Sequence, residues 1–176
     1  MFFKNGPLEK AMQVEFDKLG PVVFDSEDTA FAEAIRETLT EDDIAASFQR
    51  AGRQTPPDLP LCDFVAPLER SSTGSDGSTD VGDVSWVTPT VQAQVATCAV
   101  GTPFHTWQTV AQGKAPAAHK GMIHAAKVMA ATATHLINSP ETLQAARDIH
   151  NQRQTTTPYV CPIPSDQKPP IVEQTS

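Results

Sequence analysis

The chain has 176 residues, enough for one domain with an adequate core, and 13 Lys and Arg against 21 Asp and Glu give it a formal charge of -8. That charge is spread without a Lys/Arg cluster, so the electrostatic footprint of a nucleic-acid or anionic-membrane partner is missing, and no segment reaches the roughly 18 apolar residues of a membrane span. A hydrophobic fraction of 39%, 15 prolines and 6% aromatic residues predict long irregular connections and a loose core.

The start, MFFKNGPLEK, carries no apolar run behind its first lysine, so the chain is expected to be soluble and cytoplasmic. Residues 7–19 read as an amphipathic helix: Leu8, Met12, Phe16 and Leu19 recur at helical spacing and Gly20 is a stop. Asp25 or Ser26 can cap a second helix with Phe31, Ile35 and Leu39 on one face. Thr40 with Asp43 makes a capping-box pattern for a third, running through Ile44 and Phe48 to Gly52. From 52 to 77 the composition turns to Pro, Ser, Thr, Gly and Asp, a long loop with a possible short strand at 61–65.

Strand character follows. Residues 84–87 and 91–100 are rich in β-branched side chains in partial alternation, interrupted at Thr88-Pro89, and predict two strands or one bent strand. An alanine-rich helix is expected from 116 or 117 to about 138, its small residues allowing close approach to a sheet. Ser139-Pro140-Glu141 opens a last helix to about 153, and the proline-rich end is expected to be extended. Cys62, Cys98 and Cys161 are odd in number and lack CxxC spacing, which argues against a disulfide framework or structural zinc site and for small buried residues.

The candidate chemistry lies between Ser75 and His135. His119 stands where the alanine-rich helix begins, and the partial positive charge of a helix N-terminus favours neutral imidazole, the form that binds metal. By composition alone, however, a residue so placed is more often a cap or a surface residue than a ligand, and one histidine is not a metal site. His124 and His135 share a stripe roughly 140° away around the helix, so packing or solvent exposure is their expected role. His105, between a Gly-Thr-Pro turn and Trp107, fits either a pocket rim or a structural stack. Asp76, Asp80 and Asp83, with glycines at 74, 77 and 82, fit turns, helix caps or a cation site, though not an EF-hand loop.

Three strings carry a resemblance. Ser78-Thr79-Asp80-Val81-Gly82-Asp83-Val84-Ser85, then Gly101-Thr102-Pro103-Phe104-His105, then His119-Lys120-Gly121-Met122, in that order, resemble the C-terminal part of the aminobenzoyl-glutamate utilization protein group. That group sits in the dizinc amidohydrolase and exopeptidase family of aminoacylases and carboxypeptidase G. The segment with Phe31-Ala32 and Ile35 is similar to the point where such chains re-enter the catalytic domain after an inserted lid domain, and the resemblance covers most of residues 7–150.

The resemblance implies an α/β fold, the C-terminal portion of a dizinc exopeptidase-type catalytic domain with helices packed on a partial sheet, incomplete on its own. Residues 1–20 would lead out of the lid domain, 21–153 would be the C-terminal part of the catalytic domain, and 154–176 a proline-rich tail. His119 matches a zinc ligand, and Asp80 and His105 match segments that face the substrate cleft. The complete site of the family holds two zinc ions, of which this chain supplies at most one ligand. The family's first ligand histidines, bridging acid and catalytic glutamate have no counterpart, so a truncated or split enzyme is expected. Its partners would be a small amide or peptide substrate and either further copies of the chain in a homo-oligomer or a chain supplying the missing half. A non-catalytic interaction subunit or a degenerate remnant are the alternatives.

Overall fold

The computed structural model describes residues 2–50, 58–68 and 79–168, with the side chains of 49 and 50 left aside. Among these residues the regular structure is helical: α1 (Gly6–Leu19), α2 (Ser26–Arg36), α3 (Glu41–Arg50), α4 (Val81–Val87), α5 (Trp107–Gln112), α6 (Pro116–Ile137) and α7 (Pro140–Thr156).

Local signals set most of these boundaries. Asn5 caps α1 by accepting the Leu8 N–H, Pro7 occupies the first turn, and the helix stops at Gly20, whose N–H reaches the Phe16 carbonyl at 2.8 Å. Leu8 and Met12 are buried as their spacing predicts, together with Ala11 and Glu15, whereas Leu19 stays exposed. The N-terminus of α2 is a reciprocal capping box: Asp25 Oδ1 accepts the N–H of Glu27 and Asp28, and Asp28 Oδ2 accepts the N–H of Asp25. Thr40 and Asp43 close the same motif on α3, at 3.2 and 3.3 Å. Ile35 points inward as expected, but Phe31 lies on the exposed side and Ala32 takes its place in the core. Gly52 and most of the long loop lie outside the described residues.

The expected sheet is not found among the described residues. Residues 84–87 belong to α4, residues 91–100 have no regular structure, and neither do 61–65. A strand is stabilised by a ladder of hydrogen bonds to a neighbour, and without one the local turn prevails. At α4 that turn starts with Gly82 N–H to Thr79 and Asp83 N–H to Asp80, and Ser85 Oγ–H closes onto the Gly82 carbonyl at 2.6 Å. The 91–100 segment finds isolated partners instead: Ala99 N–H donates to Gln112 Oε1 and Val100 N–H to the Pro60 carbonyl. Of the three cysteines, Cys62 and Cys98 are half-buried, but Cys161 is exposed, contrary to the expected buried role.

Helix α6, 22 residues and about 33 Å long, connects two small cores. Its first turns contribute Ala117 to a cluster with Ala32, Ile35, Leu61 and Ala99, against which Phe24 packs. Its second half buries Val128 and Thr132 and lies against α1, which also packs on α7. The two helices meet at the His124 and Phe16 rings, 6.5 Å apart, and at His135 Nδ1 with Glu15 Oε1, 2.7 Å.

The stretch of chain before α1 is fastened to α4 and α7. Phe3 packs edge-on to Trp86 at 5.3 Å, lies beneath the Arg153 guanidinium at 4.1 Å, and donates its N–H to Ser85 Oγ. Asn5, fully buried, donates from Nδ2 to the Ala146 carbonyl. Phe3 and Asn5 thus hold the stretch ahead of α1 onto α4 and α7.

Gly121 explains how closely the 91–100 segment crosses α6. A Cβ at this position would sit 2.1 Å from the Ala96 carbonyl oxygen and 2.8 Å from Thr97 Cγ2. Helix propensity alone favours Gly121→Ala by about 1 kcal/mol. The crossing predicts the opposite sign, a loss of about 1–3 kcal/mol from overpacking against backbone, read as the denaturant unfolding midpoint. A more stable variant would show that this crossing is not tight.

Candidate functional site

Asp80, His105 and His119 come from three separate elements. Asp80 precedes α4, where its side chain makes no capping bond; Thr79 Oγ1 accepts the Val81 N–H instead. Asp76 lies outside the described residues, so the acidic cluster is represented here by Asp80 and by Asp83, whose Oδ1 accepts from the Tyr159 hydroxyl at 3.3 Å.

His105 ends a tightly braced turn. Gln112, buried on α5, accepts the Ala99 N–H at 2.6 Å and donates to Thr102 Oγ1 and the Gln108 carbonyl, both at 3.0 Å. Thr102, Thr106 and Thr109 close onto backbone carbonyls of Ala99 and Pro103. Gly101, at φ 97°, is where the backbone passes Ile44; a Cβ there would meet Ile44 Cγ1 at 2.8 Å. His105 itself adopts φ 62°, a left-handed conformation uncommon for a residue with a side chain. It is exposed, and no ring contact joins it to Trp107, so the structural stack, one of its two alternatives, does not form.

His119 is the fourth residue of α6, exposed, and its imidazole makes no hydrogen bond or ion pair. The neighbouring Lys120 is anchored: its Nζ donates to Asp25 Oδ2 and Asp28 Oδ2 at the capping box of α2. The Asp28 side chain is 1% exposed, and its Oδ1 has no hydrogen-bond partner. The bond from Lys120 holds the Asp25 carboxyl below its ordinary range, and the two carboxylates, Asp25 first, hold Lys120 above its own. Spacing alone marks Asp25 and Asp28 as caps only; a lysine directly after the candidate ligand was the available signal that the same carboxylates fix the helix bearing His119.

His124 and His135 occupy the opposite side of α6, as the helical spacing predicts, and both pack. Glu15 collects His135 and Lys18 in a shallow groove of ≈ 410 Å³ between α1 and the end of α6. The Lys18 ammonium first, and His135 second, hold the Glu15 carboxyl below its usual range.

The three candidate residues are not joined to one another by any hydrogen bond or ion pair. Among the described residues, no group of three or more His, Cys, Asp or Glu side chains could hold a metal ion, and no helix is long and apolar enough to cross a membrane. Among the described residues, the three candidate residues therefore stand apart from one another and are not gathered into one site.

The chain is similar, over most of its own length, to one of the aminobenzoyl-glutamate hydrolases. It is 41% identical over 182 aligned positions, 96% of this chain, to a p-aminobenzoyl-glutamate hydrolase subunit of Escherichia coli (strain K12). It spans 37% of that protein's length, consistent with a C-terminal piece of a protein of that kind. No family model and no solved structure matches the chain. The resemblance carried by the three strings thus holds, and it extends past the 7–150 range that the motifs alone indicated.

The depressed carboxyls make acid stability a test of this electrostatic reading. A group whose folded value is lowered contributes stability that is present above its unfolded value, about 4, and lost as the pH falls through the folded value. Lys120, raised, contributes below about 10.4 and loses its contribution as the pH climbs through its higher folded value. The melting temperature is expected to drop on acidification below about pH 4 and to drop less steeply in Glu15→Gln. A Glu15→Gln profile superimposable on that of the unaltered chain would contradict the cluster.

Proposed function

We propose that this chain is the C-terminal part of a cytoplasmic, zinc-dependent amidohydrolase that cleaves an amide bond such as that of aminobenzoyl-glutamate or a dipeptide-like substrate. The observation that carries the reading is the 41% identity over 96% of the chain to a protein named as a p-aminobenzoyl-glutamate hydrolase subunit. In this reading His119 is one zinc ligand, and Asp80 and His105 contact substrate.

His119 suits that role chemically. Its imidazole is exposed and engages no other side chain, so a ring nitrogen is available, and the first turns of α6 are pinned by Lys120 to Asp25 and Asp28. The remaining ligands, the general base and the sheet expected of an α/β catalytic domain would come with the portion of such a protein that this chain does not span. A zinc pair, when bound, supplies a water activated as nucleophile and a Lewis acid for the amide carbonyl. The chain's own share is to hold metal through His119 and to present His105 and Asp80 to the substrate from braced backbone.

A second reading, a non-catalytic subunit that binds a full-length homologue, rests on the same partial span, 37% of the relative's length. Activity separates the two only in an assembled enzyme. The purified chain with added zinc is expected to show no hydrolysis of p-aminobenzoyl-glutamate above background; turnover that a chelator abolishes would overturn the claim that the site is shared. Completed by a chain supplying the rest, the wild type should hydrolyse the amide. His119→Ala should then abolish hydrolysis and bring bound zinc toward roughly half. His124→Ala and His135→Ala should leave zinc content unchanged, since those rings pack against α1. Full zinc occupancy in His119→Ala, by elemental analysis, would remove the ligand assignment.

A further inference from the structure

Helix α5 is engaged on one side and bare on the other. Gln112 is buried, Thr109 Oγ1–H closes onto the Pro103 carbonyl at 2.7 Å, and Gln108 Nε2 reaches Thr38 Oγ1 at 3.4 Å. At about 100° per residue, Trp107, Val110, Ala111 and Lys114 share the remaining side, because Gly113 keeps helical dihedrals past the helix end. Trp107 is 60% exposed and Val110 80%, and the exposed Lys114 enters no hydrogen bond or ion pair. The turn just ahead of the helix adds Phe104 and His105, both exposed. Charge narrows what such a face can take. Of the chain's 21 Asp and Glu, none lies between Val84 and Pro140, a stretch that carries Lys114, Lys120 and Lys127. Lys120 is paired with Asp25 and Asp28, whereas the Lys114 ammonium beside the indole is left for an anion from outside.

We propose that this face of α5 is a subsite for N-aroyl amino acids, in which Trp107 stacks on the aryl ring and Lys114 pairs with a carboxylate. The proposal rests on the function inferred above and deepens it, making these two residues the ones that select aroyl amides over amides with a small aliphatic acyl group. Three observations favour this ligand. An indole offers a large flat surface to an aromatic ring, and an unpaired ammonium attracts a carboxylate, so the face matches both halves of such a molecule. Seven residues of helix set Trp107 and Lys114 about 10 Å apart along the axis, and the flexible lysine stem shortens that gap to the span of an aryl ring joined through an amide to a carboxylate. The platform is also rigid before a ligand arrives, since Gln112 ties α5 to Ala99 and Thr102, which keeps the cost of ordering low.

The test is a titration of the full chain, without metal, followed by NMR of the tryptophan indole N–H groups. The chain has 2 tryptophans, and Trp86, packed against Phe3 and Tyr159, serves as the control. Both p-aminobenzoyl-glutamate and benzoyl-glutamate should shift the Trp107 signal saturably and leave that of Trp86 in place. Acetyl-glutamate, which lacks the ring, should bind roughly tenfold more weakly. Lys114→Met should weaken binding of the aroyl ligands by up to about fivefold. Trp107→Ala should remove saturation transfer from the protein to their aryl protons. That pattern supports the proposal. An unmoved Trp107 signal, or equal affinity for acetyl-glutamate, overturns it. A Trp107 signal that shifts with protein concentration in the absence of ligand also overturns it and assigns the face to a second copy of the chain. Two further outcomes separate this proposal from the hydrolase reading. If the enzyme completed by a chain supplying the rest hydrolyses aroyl and acetyl amides alike, the hydrolase reading stands and the subsite falls. If the chain binds the aroyl ligands at Trp107 but the completed enzyme hydrolyses neither, the subsite stands and the hydrolase reading falls.

Discussion

Helix α6 is held at both ends by interactions of different kinds, and the placement of His105 and His119 follows from them. Near its start, the absence of a side chain at Gly121 lets the 91–100 segment cross almost at backbone contact, and Lys120 reaches the caps of α2. Near its end, His135 meets Glu15 of α1. The crossing brings Ala99 to the first core, and Gln112 ties Ala99 to the turn that carries His105. His105 and His119 are therefore set by one framework although they do not touch.

Buried polar groups carry more of this framework than a small core usually requires. Asn5, Ser85, Gln112 and Thr132 are buried, and each bonds to backbone. Among the described residues, thirteen hydrophobic side chains are buried, five of them alanine, while seventeen large ones are exposed. A core of that size has little apolar burial to offset chain entropy, which makes the hydrogen bonds of these buried polar groups weigh more in holding the fold.

The helices were legible because their signals are local. Asn5-Gly6-Pro7, Asp25 with Asp28, Thr40 with Asp43, and Pro116 each fix a helix start from within four residues. The β-branched runs misled because strand propensity is a statement about neighbours: Val84 to Val87 can line a sheet, yet among the described residues no strand lies beside them, and the Asp-Val-Gly-Asp turn wound them into α4. The site divided along the same line. The opposite facing of His119 and His135 is simple helix geometry, whereas the partners Glu15, Gln112 and Asp28 are long-range contacts that no spacing reveals. The ligands that would join His119 in the proposed function could not be read at all, because the resemblance gives them no counterpart in this chain.

If the proposed function holds, the chain is an interchangeable part of a larger hydrolase, its braced His105 turn and α6 lying within the stretch that is 41% identical to the Escherichia coli protein. The most direct measurement is to substitute this chain for the matching portion of that protein and assay the chimera for hydrolysis of p-aminobenzoyl-glutamate, with bound zinc measured on the same sample. The expected result is a folded chimera that hydrolyses the amide and loses that activity to a chelator. A folded chimera that binds no zinc and turns over no substrate would contradict it.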